Sequence, residues 1–371
     1  MRLAIFTDTF APQINGVSHS LIKFADYLKQ NNIPYLIFAP QYQENAEKEY
    51  NLCSLPGFSL PLYPECRICR PRFAYVRNRL KDFAPDIIHL ATPFSVGLSG
   101  LKAAKKLKLP CVAAYHTDFP EYLDYYRLRL FKKTAWRYFN WFHNQCLINF
   151  CPSAEFQTAL QNKGINNVQV WRNGVDCARF NPSKADSKLK EQYVPKDKFT
   201  FLYVGRLAPE KNLDILLTAF SKTRTRFPEA HLIITGYGPS YATLTKQAPV
   251  GVSFTGYLEG NELAAIYASC DVFVFTSVTE TSGMVILEAM ASGLPATAAY
   301  AGGVKEHVVD QYNGLTCKPL DADDLADKMS VFLSDPSLRD SLSKNARKTA
   351  EQMSWENIFQ QIMPQLQNLV L

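Results

Sequence analysis

Two carboxylates eight positions apart, Glu280 and Glu288, stand in the segment 272–295 of this chain. An apolar strand pattern beginning at Val272 ends at Thr276, and a loop then carries Glu280. Thr281 or Ser282 is placed to cap a helix running to Ser292, where Gly293 and Pro295 terminate it. A helix leaves its first backbone N–H groups unpaired, so those near Ser282, Gly283, Met284 and Val285 suit phosphate oxygens. Glu288 falls about one and a half turns into that helix, so both carboxylates can face one extended ligand. An ordinary capped helix with a surface glutamate fits the same segment equally well.

A second element lies earlier in the chain. Phe201-Leu-Tyr-Val-Gly205 reads as a buried strand, and Arg206 and Lys211 follow it five residues apart. Cations at the carboxyl end of a strand are placed to clamp a diphosphate, arginine through its planar fork and lysine as a point charge.

The elements that must position these residues form two α/β series. In the first half, strand patterns fall at 2–7, 35–39, 87–90, 111–115 and 147–151, with helical periodicity over 18–30 and 97–107. In the second half, strand patterns fall at 200–204, 231–235, 252–255, 272–275 and 296–299. Helical stretches over 213–220, 262–268 and 282–292 alternate with them. This rhythm predicts parallel sheets, hence two doubly wound α/β domains whose ligands bind beyond the carboxyl ends of the strands. The turn-rich segment after residue 170 puts the boundary there, giving domains 1–170 and 171–351. The tail 352–371 is expected to fold back onto the first.

Taken together, these segments resemble the retaining family-4 glycosyltransferases of GT-B fold. The resemblance rests on Gly205-Arg206 with Glu210-Lys211-Asn212, and on Glu280 and Glu288 ahead of Ala-Met-Ala-Ser-Gly-Leu-Pro. Asn15-Gly16-Val17, Arg172-Asn-Gly-Val-Asp176 with Phe180-Asn-Pro182, and Gly236-Tyr-Gly238-Pro extend it over nearly the whole chain. The last motif alone is a weak phosphate loop, because no acidic residue about 20 positions on completes a dinucleotide fingerprint.

The resemblance implies two Rossmann-like domains facing across a cleft, and assigns roles. Arg206 and Lys211 would hold the donor diphosphate, Glu280 would bond sugar hydroxyls, and Glu288 the ribose. Gly256, Tyr257 and Leu258 would meet the base, and Gly16 would let the backbone approach the donor. The run Tyr115-His-Thr-Asp-Phe-Pro120 resembles the subgroup that moves mannose from GDP-mannose, or sulfoquinovose, onto lipid acceptors. His116 would then contact the donor sugar, with Asp118 a second candidate. A lone histidine is also commonly structural.

Retention without a convincing nucleophile implies same-face attack, a donor phosphate oxygen taking the acceptor's proton. Leaving-group charge would be met by Arg206, Lys211 and the helix N-terminus, so neither metal nor other cofactor is expected. The one Asp-x-Asp pattern, Asp321-Ala-Asp323, precedes a helical run and reads as a cap.

The 371 residues are 47% apolar and 20% charged, as in a folded globular protein. Nine cysteines scattered from Cys53 to Cys317 suit a reducing compartment, and no spanning run or signal peptide appears. Cytoplasmic location follows as an expectation. Residues 1–170 hold 20 Lys/Arg against 12 Asp/Glu, whereas 171–371 hold 20 against 22. The excess positive charge includes Arg67–Lys81 and a run from Arg127 to Arg137 interleaved with Tyr125, Tyr126, Phe131, Trp136, Tyr138, Phe139, Trp141 and Phe142. Such a run suits an interfacial helix on anionic lipid at the inner membrane face, although its aromatics would equally serve as a core face. No nucleic-acid module accompanies it. The expected partners are GDP-mannose or a UDP-sugar (glucose, galactose or sulfoquinovose) and a lipid or glycolipid acceptor. A cell-wall glycan acceptor, a nucleotide-sugar-binding regulator and a nicotinamide enzyme are the competing readings.

Overall fold

The computed structural model describes residues 1–13, 15–42, 49–60, 63–115, 129–280 and 283–370. The chain divides into two compact units, Met1–Arg172 with Ile358–Leu371, and Asn173–Asn357.

The first unit is built on seven strands: β1 (Leu3–Phe6), β2 (Tyr35–Pro40), β3 (Leu52–Leu55), β6 (Ile87–Leu90), β7 (Cys111–Ala114), β8 (Asn149–Cys151) and β9 (Val168–Val170). They pair in the order β3-β2-β1-β6-β7-β8-β9, all parallel. β4 (Gly57–Leu60) and β5 (Tyr63–Cys69) form a separate antiparallel pair. The central strands are buried throughout, as expected for a parallel sheet covered on both faces. Phe6 stacks on Phe38 with ring centroids 4.4 Å apart. Trp171 packs against Phe24 and Phe150, at 5.1 Å from each, and against Phe359 of the returning tail.

The second unit has six strands: β10 (Thr200–Val204), β11 (His231–Thr235), β12 (Val252–Gly256), β13 (Val272–Phe275), β14 (Ala296–Ala299) and β15 (Gly314–Cys317). Their order is β12-β11-β10-β13-β14-β15, again all parallel. Winding reverses between β10 and β13, so the helices that follow these two strands cross to opposite faces of the sheet.

The strand patterns read from sequence include every central strand of both sheets. They leave out β3, β9 and β15, which lie at sheet edges, and the β4–β5 pair. An edge strand is covered on fewer sides: β3 alternates buried with half-exposed residues, and Gln169 in β9 is exposed. Neither presents the unbroken apolar run that marks a central strand.

The tail joins the first unit from Ile358, not from residue 352. Residues 353–355 stay with the second unit because the Val175 N–H donates to the Met353 carbonyl at 2.9 Å. Ser354 bridges Val175 as well, and a Cβ on Gly174 would come 2.7 Å from the Trp355 Cα.

Candidate active site

The loop leaving β10 carries Arg206 and Lys211. Arg206 is exposed, and its carbonyl accepts from the Tyr203 hydroxyl at 3.3 Å. Pro209–Lys211 make a single 3-10 turn, and Asn212 takes the left-handed conformation (φ 51°) before the helix Leu213–Arg226 begins. Asparagine tolerates that conformation better than most residues. Its Nδ2 donates to the Thr276 carbonyl at 3.3 Å, while Thr276 Oγ1 donates to the Lys211 carbonyl at 2.8 Å. The loops after β10 and β13 are therefore laced together at the switch point of the sheet.

Across that seam Lys211 Nζ lies 3.0 Å from Glu280 Oε2, and both side chains are under one-fifth exposed. Glu280 Oε1 accepts the Gly283 N–H at 3.3 Å. The backbone of Glu280 is also held, its carbonyl accepting the Gly303 N–H at 2.7 Å. Gly302 beneath it has φ +51°, and a Cβ there would sit 2.4 Å from that carbonyl oxygen, so this position requires glycine. Burial first, then the charges of Glu280 and Glu210, pushes the Tyr203 phenol well above its ordinary range.

The helix that follows runs Met284–Ala291, starting two residues later than the sequence suggests. Gly283, at φ +60°, occupies the capping position without a side-chain cap. Thr281 and Ser282 lie outside the described residues. The Gly283 N–H, expected to be open for phosphate, is already taken by Glu280; the N–H groups of Met284 and Val285 belong to the first turn. Lys211 likewise does not stand as an open clamp but is paired.

Glu288 has a different partner. Tyr267, fully buried in the helix Gly260–Ser269, donates to Glu288 Oε2 at 3.1 Å and lies 3.3 Å from the Val285 carbonyl. Burial pushes the Glu288 carboxyl up to about 7, against the opposing effects of the Tyr267 hydrogen bond and the Arg179 charge. Gly256, Tyr257 and Leu258 close β12. Gly256 has φ +74° and its carbonyl accepts the Gly236 N–H at 2.8 Å, Tyr257 is exposed, and Leu258 packs on the core. Gly236 also fits tightly against the β10 loop, a Cβ there falling 2.0 Å from the Gly205 carbonyl oxygen. Asp321 accepts from the backbone of Asp323 and Asp324, at 3.0 Å each, and caps the helix Ala322–Ser334.

In the first unit, Gly16 opens the helix Gly16–Gln30, and a Cβ there would meet nothing within 4 Å. Packing within the unit therefore does not demand glycine. His116 and Asp118 lie outside the described residues. Sequence reasoning passed over Asp8, which follows β1. It accepts from Thr92 Oγ1 and Ser95 Oγ, both at 2.6 Å, and from the Val96 N–H at 2.8 Å. This buried carboxylate fills the N-terminus of the helix Ser95–Leu107. Tyr267 and Gly302 were missed as well: a tyrosine within an apolar helical period and a glycine in a turn carry no spacing signal.

The family described as "Glycosyltransferase Family 4" matches residues 14–179, and that described as "Glycosyl transferases group 1" matches residues 185–349. A GDP-mannose-dependent alpha-mannosyltransferase of Mycobacterium tuberculosis is 36% identical over 85% of this chain and 83% of its own length. The chain belongs to the group 1, family 4 glycosyltransferases. It is a transferase that moves a sugar from a nucleotide-sugar donor. An alpha-monoglucosyldiacylglycerol synthase of Streptococcus pneumoniae is 28% identical over 80% of this chain and 71% of its own length. In fold the chain is similar to Anabaena HepE, solved in complex with UDP, with a TM-score of 0.80 and 23% identity over 99% of this chain and all of that one. The two parallel-sheet α/β units are those of a GT-B glycosyltransferase.

Proposed function

We propose that this glycosyltransferase moves mannose from GDP-mannose to a lipid or glycolipid acceptor, with retention of anomeric configuration and without a metal ion. The observation that carries the site is the seam at the carboxyl ends of β10 and β13, where Lys211, Glu280 and Gly283 meet. Departure of the sugar leaves charge on the diphosphate, and Arg206 and Lys211 would stabilise it there. Glu280 would turn to the sugar hydroxyls, and Glu288 to the ribose. The Gly256–Leu258 turn, with Tyr257 exposed, would meet the base. Met284 and Val285 supply backbone N–H groups for phosphate oxygens. Asp8 supports a donor site in the second unit, since its carboxylate already fills a helix N-terminus at the switch point of the first sheet.

The M. tuberculosis relative supports GDP-mannose as donor, and the S. pneumoniae relative supports a lipid acceptor. That second relative also favours the alternative reading, a UDP-sugar donor with diacylglycerol as acceptor. Incubation of the protein with GDP-mannose, UDP-glucose, UDP-galactose or UDP-sulfoquinovose and a lipid extract, read by mass spectrometry of the lipid fraction, separates the two. Mannosylated lipid formed from GDP-mannose alone is the expected result; hexosyl transfer from a UDP-sugar alone would replace it.

Membrane attachment at the inner face is part of the same proposal. No helix among the described residues is long and apolar enough to cross a membrane. The helix Lys132–His143 divides its aromatics: Phe139 and Phe142 are buried, whereas Trp141 is half-exposed beneath Lys105. Leu130 (94% exposed) and Phe131 (60%) stand at its start beside Lys133 and Arg137, both exposed. Apolar tips flanked by cations suit the headgroup boundary of an anionic bilayer.

A further inference from the structure

Glu288 projects from the helix Met284–Ala291 and is half-buried. The last torsion of a glutamate is broad, so a carboxylate left to itself has no fixed plane. Here one oxygen is held, because Tyr267 donates to Oε2 at 3.1 Å. Tyr267 is the one hydrogen-bond donor to this carboxylate among the described residues. We propose that Tyr267 is a positioning residue for nucleotide-sugar binding: its hydroxyl fixes the plane of the Glu288 carboxylate and leaves Oε1 for the ribose hydroxyls. The inference rests on the reading of Glu288 as the ribose-bonding group and deepens it.

The phenol is held more firmly than the carboxylate it serves. Tyr267 is fully buried in the helix Gly260–Ser269. Its ring stands edge-on to Phe180 at 5.6 Å and packs against Phe273 at 5.9 Å. A ring enclosed in this way keeps its hydroxyl in one place. That hydroxyl also lies 3.3 Å from the Val285 carbonyl, one turn before Glu288. It carries a single hydrogen, and a charged carboxylate is the stronger of the two acceptors. Arg179 supplies charge and no hydrogen bond to Glu288: its guanidinium donates to the Gly260 carbonyl at 3.4 Å and rests over Phe180. Orientation of the carboxylate therefore falls to Tyr267.

A consequence follows for the nucleotide. A ribose diol presents two O–H groups at a fixed separation, and a carboxylate already set in its plane receives them without losing rotational freedom on binding. Removing the Tyr267 hydroxyl should weaken recognition of the ribose and leave the contacts to base and diphosphate as they were.

Calorimetric titration of the whole protein with GDP, UDP and their 2′,3′-dideoxy counterparts tests this. Tyr267→Phe keeps the ring and its packing and removes only the hydroxyl; its thermal midpoint verifies folding. Wild type should bind the ribonucleotide it accepts about tenfold more tightly than the dideoxy form, as for hydrogen bonds to a charged group. Tyr267→Phe should bind the ribonucleotide roughly five- to tenfold more weakly than wild type, and the dideoxy form within about twofold of it. In Glu288→Ala, adding Tyr267→Phe should change neither affinity, because Tyr267 acts through the carboxylate. The double variant leaves no carboxylate short of a partner, so it decides the matter should Tyr267→Phe alone unfold. Full discrimination in folded Tyr267→Phe, equal weakening of both nucleotides, or a further loss in the double variant overturns the inference. If Glu288→Ala treats the two nucleotides as wild type does, the ribose reading of Glu288 falls. If none of these nucleotides binds, the nucleotide-sugar reading falls, and the inference goes with either.

Discussion

Tyr267 reaches out of the helix Gly260–Ser269 and donates its phenolic hydrogen to Glu288 in the helix Met284–Ala291, at 3.1 Å from Oε2. The pair ties two helices of the second unit at the carboxylate proposed to bond the ribose. It also leaves Glu288 titrating within the physiological range, since burial outweighs the hydrogen bond.

The pH dependence of stability follows from that shift. In the fold Glu288 is raised from 4.5 to about 7. Between these values the native state holds a proton that the unfolded chain has lost, so stability falls as pH rises through the window. Urea unfolding at pH 5 and pH 8 should show this loss in wild type. Glu288→Gln should abolish that part of it, on the order of 1–3 kcal/mol after allowance for the side chain's partial opening to solvent. Ribose hydroxyls donating to the carboxylate would favour its charged form. Donor binding near pH 6.5 should therefore release a proton, seen as calorimetric heats that depend on the buffer's ionisation enthalpy.

Arg206→Ala, Lys211→Ala and Glu280→Ala should each lower turnover by about a hundredfold or more, in line with loss of a preorganised charge partner. Their melting temperatures should stay within a few degrees of wild type. Near wild-type rates in all three would sink the assignment. Treatment with a chelator should leave the wild-type rate unchanged, and a loss restored by added divalent cation would refute the metal-independent mechanism.

Gly302→Ala should impair the site from a distance. A Cβ there meets the Glu280 carbonyl oxygen at 2.4 Å, and φ +51° is strained for alanine. A stability loss of about 1–3 kcal/mol and a several-fold drop in turnover are expected. Wild-type kinetics would show that the Glu280 backbone need not be held there.

Flotation with anionic liposomes tests the exposed helix start. Wild type should float at low salt and less at high salt, because the attraction to headgroups is screened. Replacing Leu130 and Phe131 by serine, together with Lys133→Glu and Arg137→Glu, should leave the protein in the soluble fraction.

The double α/β architecture was legible because central parallel strands are buried on both faces. Phe201–Val204 and Val272–Phe275 announce themselves as unbroken apolar runs. The placement of Arg206, Lys211 and Glu280 beyond those runs, and of Glu288 in the helix that follows, was legible too, whereas the roles proposed for them came from the family resemblance. The start of the helix Met284–Ala291 was misread by two residues. Serine and threonine are strong capping types, whereas the position is taken by Gly283 in a left-handed conformation.

By itself, then, the sequence determined the periodicities, and with them the two parallel sheets, their central strands and the loops that bear the charged residues. Those signals are local: they depend on residue type and on spacing within one strand or helix. What the charged groups do to one another was decided only by tertiary structure. Lys211 and Glu280 are 69 positions apart, yet neutralise each other across the seam between β10 and β13. Tyr267 and Glu288 meet from separate helices, and Gly302 and Gly303 hold the Glu280 backbone from beyond β14. Pairing across such distances arises when the sheet brings strand ends together, and no spacing along the chain encodes it.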